Sequence, residues 1–250
     1  MATETTNHRA AWLQGPSAKC ETPTCTEQAW RLVLLGAPGV GKGTQAELLN
    51  EQLHACHLST GDVFRAASKS AGQLSPAMKA ASDFMRKGEL VPDSTVWEMV
   101  RERKECLHCV GGFILDGFPR TLGQAESLAR LMKEEGISLH AVINYDLPAT
   151  EIVARLSGRR TCEGCKAVYN VIERPPKTEG LCDKCGGALF QREDDKPESI
   201  KVRLDAYDKL TSPLIDFYKK LGALVSVDAH GTPAEICDRT ILALQLKTAK

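Results

Sequence analysis

No apolar run in this chain approaches the length of about twenty residues that a membrane-spanning helix needs. Neither sign of charge is in excess, because 32 Lys and Arg balance 32 Asp and Glu. A general binder of nucleic acid or of membrane surfaces would carry a basic surplus, and that class is excluded on charge. Residues 1–29 lack the apolar stretch of a secretory signal. They are polar and contain Gly15, Pro16 and Pro23, so they read as a mostly disordered tail. Glu4, Glu21 and Glu27 weigh against a transit peptide, which is poor in acid. No internal repeat of solenoid length is present. The 250 residues suffice for a sizeable core, in one domain with insertions or in two small domains.

Residues 31–44 organise the rest. An apolar run at 32–35 reads as a buried parallel strand. A glycine-rich turn follows, and then a helix with Ala46, Leu49 and Leu53 at helical spacing. Gly36, Gly39 and Gly41 let the backbone approach a ligand closely, and its N–H groups gather at the positive end of a helix dipole. Lys42 adds a full charge near the β- and γ-phosphates of a nucleotide. The stretch fits the phosphate-loop pattern except at Gly43, where Ser or Thr is usual; Thr44 comes one residue later.

Further along, residues 57–59 read as a short strand, with Ser59 or Thr60 capping a new helix. Two helices over 62–88 are divided near Gly72 to Pro76, and a third opens at Pro92-Asp93 and runs to about Lys104. Strands are expected at 113–115, 141–145 and 223–227. Helices are expected from about 120 to 135, from 147 to 157 and, as one long element, over 197–221. Thr232-Pro233-Ala234-Glu235 is a capping box with proline at the first helical position. Alternating strands and helices predict an α/β phosphate-loop fold, a parallel sheet flanked by helices.

Residues 159–195 break that alternation. Cys162-x₂-Cys165 and Cys182-x₂-Cys185 form two knuckles, a signature of closed tetrahedral thiolate coordination suited to structural Zn²⁺. Iron also fits a four-sulfur site. Metal-bound thiolates account for four of the ten cysteines and point to a reducing compartment, the cytoplasm, rather than to a disulfide scaffold. Cys106 and Cys109 share the spacing but lack a second knuckle nearby; Cys20 and Cys25 are remote candidates to complete one. Cys56 and Cys237 read as core or surface thiols, and His54 and His57 receive no function.

The phosphate loop, Ser59-Thr60-Gly61-Asp62 with Arg65, and Asp116-Gly117-Phe118-Pro119-Arg120 with Gln124 together resemble the adenylate kinase family. Gly158-Arg159-Arg160, Arg192-Glu193-Asp194-Asp195 and Arg203 extend the resemblance, which covers about residues 31–246. The cysteine block resembles the zinc-bearing long lid of bacterial members. The resemblance implies a core of residues 30–58, 89–158 and 196–250, a nucleoside-monophosphate-binding segment at 59–88 and a lid at 159–195.

By resemblance, ATP lies against Gly39, Val40, Gly41, Lys42, Gly43 and Thr44, with Arg155 over the adenine and Arg159, Val168, Tyr169 and Gly231 nearby. AMP falls to Thr60, Arg65, Glu89, Leu90, Val91, Gly117, Phe118, Pro119, Arg120 and Gln124, with Arg192 and Arg203. Lys42, Asp116, Arg120, Arg159, Arg192 and Arg203 are the implied catalytic set, with Asp62 and Asp116 holding Mg²⁺ through water. Any one arginine alone reads as a solvated helix face. Arginines from separated segments suit phosphoryl transfer, because a guanidinium grips phosphate oxygens bidentately. No general base is expected, since the acceptor phosphate is already ionised at neutral pH.

The expected activity is transfer of a phosphoryl group from Mg-bound ATP to AMP, by a monomer with no nucleic-acid or membrane partner. A kinase preferring UMP, CMP or GMP is the rival within the class, and a nucleotide sensor without turnover the rival outside it. Thr60 and Gln124, which offer hydrogen bonds to an adenine edge, favour AMP.

Overall fold

The computed structural model describes residues 28–69 and 76–248. All but the last two residues of the expected N-terminal tail, and the divide at Gly72, therefore lie outside the described residues, as do Cys20 and Cys25. The elements run β1 (Trp30–Leu35), α1 (Lys42–Leu53), β2 (Cys56–Ser59), α2 (Thr60–Lys69), α3 (Pro76–Lys87) and α4 (Asp93–Glu102). A 3₁₀ turn at Lys104–His108 leads into β3 (Gly112–Asp116), α5 (Leu122–Glu134), β4 (Ala141–Asp146) and α6 (Ala149–Gly158). The lid strands β5 (Arg159–Cys162), β6 (Val168–Asn170) and β7 (Leu189–Phe190) come next, then α7 (Pro197–Ala206), α8 (Pro213–Lys220), β8 (Leu224–Asp228) and α9 (Pro233–Thr248). Among the described residues no helix is long and apolar enough to cross a membrane.

Five parallel strands lie in the order β2–β3–β1–β4–β8. Apolar residues on both faces of β1 explain its central place. Leu32 and Leu34 turn to one side, with Ile114, Ile143 and Leu49 of α1. Val33 and Leu35 turn to the other, with Phe113, Leu115, Val142 and Leu128 of α5. Such two-sided burial is what helix crossovers on both faces of a parallel sheet require. Register then aligns the strand ends. Leu34 of β1 pairs with Asp116 of β3, and Ser59 of β2 pairs with the same Asp116. The phosphate loop, the start of α2 and the Asp116–Arg120 turn thus leave one carboxyl edge of the sheet, where open α/β folds bind ligands.

The capping box forms as expected: Thr232 N donates to Glu235 Oε2 at 2.8 Å, and Glu235 N donates to Thr232 Oγ1 at 3.3 Å. The single long helix over 197–221 does not form. Its middle, Tyr207–Thr211, widens into a π-turn, closed by Ser212 N donating to Tyr207 O at 2.8 Å. Pro213 supplies the reason. It has no N–H to continue the ladder, so it starts a new helix, while Ser212 Oγ satisfies Asp208 O at 3.0 Å. Cys106 and Cys109 sit away from the lid, with Cys109 Sγ 3.0 Å from Cys56 Sγ.

In the lid, β5 pairs antiparallel with β6 and with β7. Its small core consists of Cys162, Ala167, Tyr169 and Cys182, with Cys165 and Leu189 against it. The sulfurs of Cys162, Cys165, Cys182 and Cys185 lie within 4.8 Å of one another, with Cys162–Cys185 at 3.4 Å and Cys165–Cys182 at 3.5 Å. Tetrahedral zinc with bonds of about 2.3 Å places sulfurs about 3.7 Å apart, so the donor set fits the ion. A Cβ at Gly187 would come within 3.1 Å of Cys162 Sγ, which leaves glycine as the residue that lets the knuckles close. Tyr169 donates its hydroxyl to Cys182 Sγ and accepts from Asp183 N. Burial works against it, yet those partners and the neighbouring N–H groups lower the Cys182 thiol to about 6. Cys165 is pushed up to about 12, chiefly by burial. Four crowded sulfurs do not all ionise without a cation among them.

With so small a core, an ion held by the four cysteines would add its binding energy to the folding energy of this segment. Protein purified without chelator should carry about one zinc per chain. Cys162→Ser/Cys165→Ser should lose the metal, melt at a lower temperature and be cut faster by protease within 159–195. The sheet and its helices should persist by circular dichroism. Metal-free protein, or a double variant as stable and as protease-resistant as the parent, would show that the knuckles are not a staple.

Candidate functional site

Between the sheet edge and the lid lies a cleft of about 630 Å³. Gly36 bends the chain out of β1 with φ near +131°, and a Cβ there would sit 2.5 Å from Tyr145 O. The turn is therefore packed against β4 as well as open to the cleft. Lys42 opens α1 and folds back over the loop, its Nζ donating to Gly36 O at 2.6 Å and Ala37 O at 2.9 Å. Burial lowers the ammonium to about 7; Asp116 opposes the shift, and Arg120, Arg203 and Arg159 add to it.

Arginines reach the same space from five elements. Arg65 of α2 pairs with Asp62 at 2.7 Å. Arg120, in the turn after β3, donates from Nε to Gly117 O at 2.8 Å. Arg159 of β5 grips the fully buried Asp195 through Nε at 2.7 Å and Nη2 at 2.5 Å. Arg203 of α7 reaches the same carboxylate at 2.9 Å and Asp194 at 3.1 Å. Arg192, after β7, donates to Thr161 Oγ1 at 2.8 Å. Among the described residues no carboxylate lies within ion-pair distance of Arg120 or Arg192. Burial, then Arg203, pushes Arg120 down to about 10. Burial, then Arg65 and Arg159, lowers Arg192. Two half-buried guanidiniums with no carboxylate at ion-pair distance face one cleft, and this is a cradle for anions.

Asp116 stands at the carboxyl end of β3, 3.3 Å from His57 Nε2. Burial raises its pKa, but the histidine and Lys42 outweigh that and hold the carboxyl below the ordinary range. At the far end of the cleft, Arg155 of α6 lies 3.3 Å from Glu173 and 3.3 Å from Ala229 O, next to Gly231, Val168 and Tyr169. Asn170 ties β6 to the end of α6: its Nδ2 donates to Arg155 O at 3.2 Å, and its Oδ1 accepts from Ile172 N and Glu173 N.

A second, smaller recess of about 30 Å³ opens beside the cleft, lined by Thr60, Met85, Glu89, Leu90, Val91 and Gln124, with Gly117 and Arg120 shared. Thr60 Oγ1 donates to Gly117 O at 2.9 Å. All the expected ATP-side residues, Gly39 to Thr44, Arg155, Arg159, Val168, Tyr169 and Gly231, line the large cleft. So do Asp62, Arg65, Asp116, Pro119, Arg192 and Arg203. Phe118 lines neither cavity; it is fully buried in the core. Sequence reasoning passed over His57 behind Asp116, Thr161 under Arg192 and Asn170 against Arg155 O. It quoted Asp194 and Asp195 only as part of a motif. The one signal available was their adjacency to Arg192.

The adenylate kinase family model matches residues 34–223, more than half of the chain. The chain is 50% identical over 210 residues to an adenylate kinase of Caldicellulosiruptor bescii, covering 84% of this chain and 95% of that one. It is 50% identical over 217 residues to an adenylate kinase of Thermodesulfovibrio yellowstonii, covering 87% of this chain and 100% of that one. An adenylate kinase of Carboxydothermus hydrogenoformans is 47% identical over 215 residues, 86% of this chain and 99% of that one. The match runs from the phosphate loop through the acceptor recess and the lid, and this chain belongs to the adenylate kinase family.

Proposed function

We propose that this chain transfers the terminal phosphoryl group of Mg-bound ATP to AMP, reversibly, giving two ADP. The observation that carries the reading is the pair of half-buried guanidiniums, Arg120 and Arg192, that face one cleft with the Lys42 phosphate loop and have no carboxylate at ion-pair distance. An oxygen of the AMP phosphate attacks the γ-phosphorus, and the bond to the β–γ bridging oxygen breaks, leaving ADP. The reaction needs alignment and charge neutralisation more than covalent help.

ATP takes the loop from Gly39 to Thr44, with Lys42 on its outer phosphates and Arg155 against its adenine. AMP takes the side of the large cleft that adjoins the small recess, its phosphate on Arg65 and Arg120 and its base toward Thr60, Val91 and Gln124. Arg159, Arg192 and Arg203 converge on the transferring group. Asp116 and Asp62 would hold Mg²⁺ through water; when bound it neutralises phosphate charge. The lid carries Arg159 and Arg192, so its closure would deliver two cations and exclude water together. Four cysteines gathered for a metal rather than paired as disulfides are in keeping with a reducing, cytoplasmic setting.

A coupled assay with ATP and AMP, GMP, CMP or UMP at equal concentration should show AMP turned over fastest. Comparable or faster use of another acceptor would sink the acceptor assignment, and no turnover of any would favour a sensor. Lys42→Met should stay folded and lose about 10²- to 10³-fold in kcat, the scale for removing a charge aimed at the transition state. Arg120→Ala should lower kcat and raise KM for AMP, while KM for ATP stays near the parent value. A folded Lys42→Met with parental kcat would remove the lysine from the mechanism.

A further inference from the structure

Gln124 is buried at the third position of α5, and its amide is held at both ends. Its Oε1 accepts from Arg120 N at 2.8 Å. Its Nε2 donates to Asp93 Oδ1 at 2.6 Å. Asp93, the first residue of α4, is itself fixed, because its other oxygen accepts from Thr121 Oγ1 at 2.7 Å. Thr121 in turn caps α5 by accepting from Gln124 N at 3.2 Å. A backbone N–H only donates and a carboxylate only accepts, so the two partners together allow one orientation of the amide.

A primary amide offers two N–H donors and two acceptor lone pairs. One of each is used internally, and one of each remains toward the recess that Gln124 lines. We infer that Asp93 is a positioning residue that sets the donor–acceptor order of Gln124, and thereby selects a 6-aminopurine over a 6-oxopurine monophosphate. The inference rests on the proposed seat of the acceptor base beside Gln124. Adenine presents an N6–H donor beside an N1 acceptor. Hypoxanthine and guanine present an O6 acceptor beside an N1–H donor, the reverse order. A freely turning amide matches either edge; a locked one sets donor against donor for the wrong base. Discrimination of that kind is large because it leaves buried polar groups unpaired.

The probe is IMP, which differs from AMP only at this edge. Rates with ATP and either AMP or IMP give the ratio of kcat/KM for the two acceptors. Asp93→Ser retains a residue suited to a helix start but removes the carboxylate. It should lower the AMP-to-IMP ratio at least tenfold, through a higher KM for AMP and a lower one for IMP. Its kcat with AMP and its KM for ATP should stay within about twofold of the parent. Asp93→Asn, of the same shape and still able to accept, should recover part of the ratio. Gln124→Ala is the companion measurement. A ratio unchanged in Asp93→Ser but lowered in Gln124→Ala would overturn the lock alone. A ratio unchanged in Gln124→Ala as well would overturn the placement of the base beside Gln124, and the lock with it.

Discussion

Positive charge brought out of water without an equal negative partner is the constraint on which the rest of this structure depends. Lys42, Arg120 and Arg192 are partly withdrawn from water at one cleft, and that desolvation pushes each toward its neutral form. Asp195 answers part of the charge by holding Arg159 and Arg203 on its two oxygens, and Asp62 answers Arg65. The remainder, on Lys42, Arg120 and Arg192, has no carboxylate at ion-pair distance among the described residues, only carbonyl and hydroxyl oxygens. A polyphosphate entering the cleft supplies the negative charge, so substrate binding relieves a repulsion that the empty fold sustains.

The sheet makes that concentration of charge possible. Strand register brings the ends of β1, β2 and β3 to one edge, and two cores of aliphatic and aromatic packing hold the edge rigid. The lid is built differently. Its apolar core is slight and its four cysteines are crowded, so a bound ion would supply the rigidity that packing does not.

Much of the site was legible in the sequence because it is local. The phosphate loop, the paired knuckles and the Thr232–Glu235 box are each specified by residues within a few positions, and each forms as its chemistry requires. The π-turn at Tyr207–Thr211 was not read from the sequence, whose pattern gives one long helix over 197–221 when no weight is put on Pro213. What escaped reading is carried by long-range pairs. Asp195 lies 36 positions from Arg159, His57 lies 59 from Asp116, and Gln124 lies 31 from Asp93. No local pattern marks such partners; topology alone brings them together.

The central claim is that phosphate restores charge to a cleft that burial has partly neutralised. Calorimetric titration of ATP at pH 8, in two buffers of different ionisation enthalpy, measures it most directly. Lys42, at about 7 in the empty site, is then mostly neutral, and bound phosphates would return it toward its ordinary value of 10.5. The account predicts uptake of about one proton per ATP by the parent protein, and affinity that weakens as pH rises above 7. Lys42→Met should take up almost none. Binding without proton uptake in the parent, or equal uptake by a folded Lys42→Met, would contradict it.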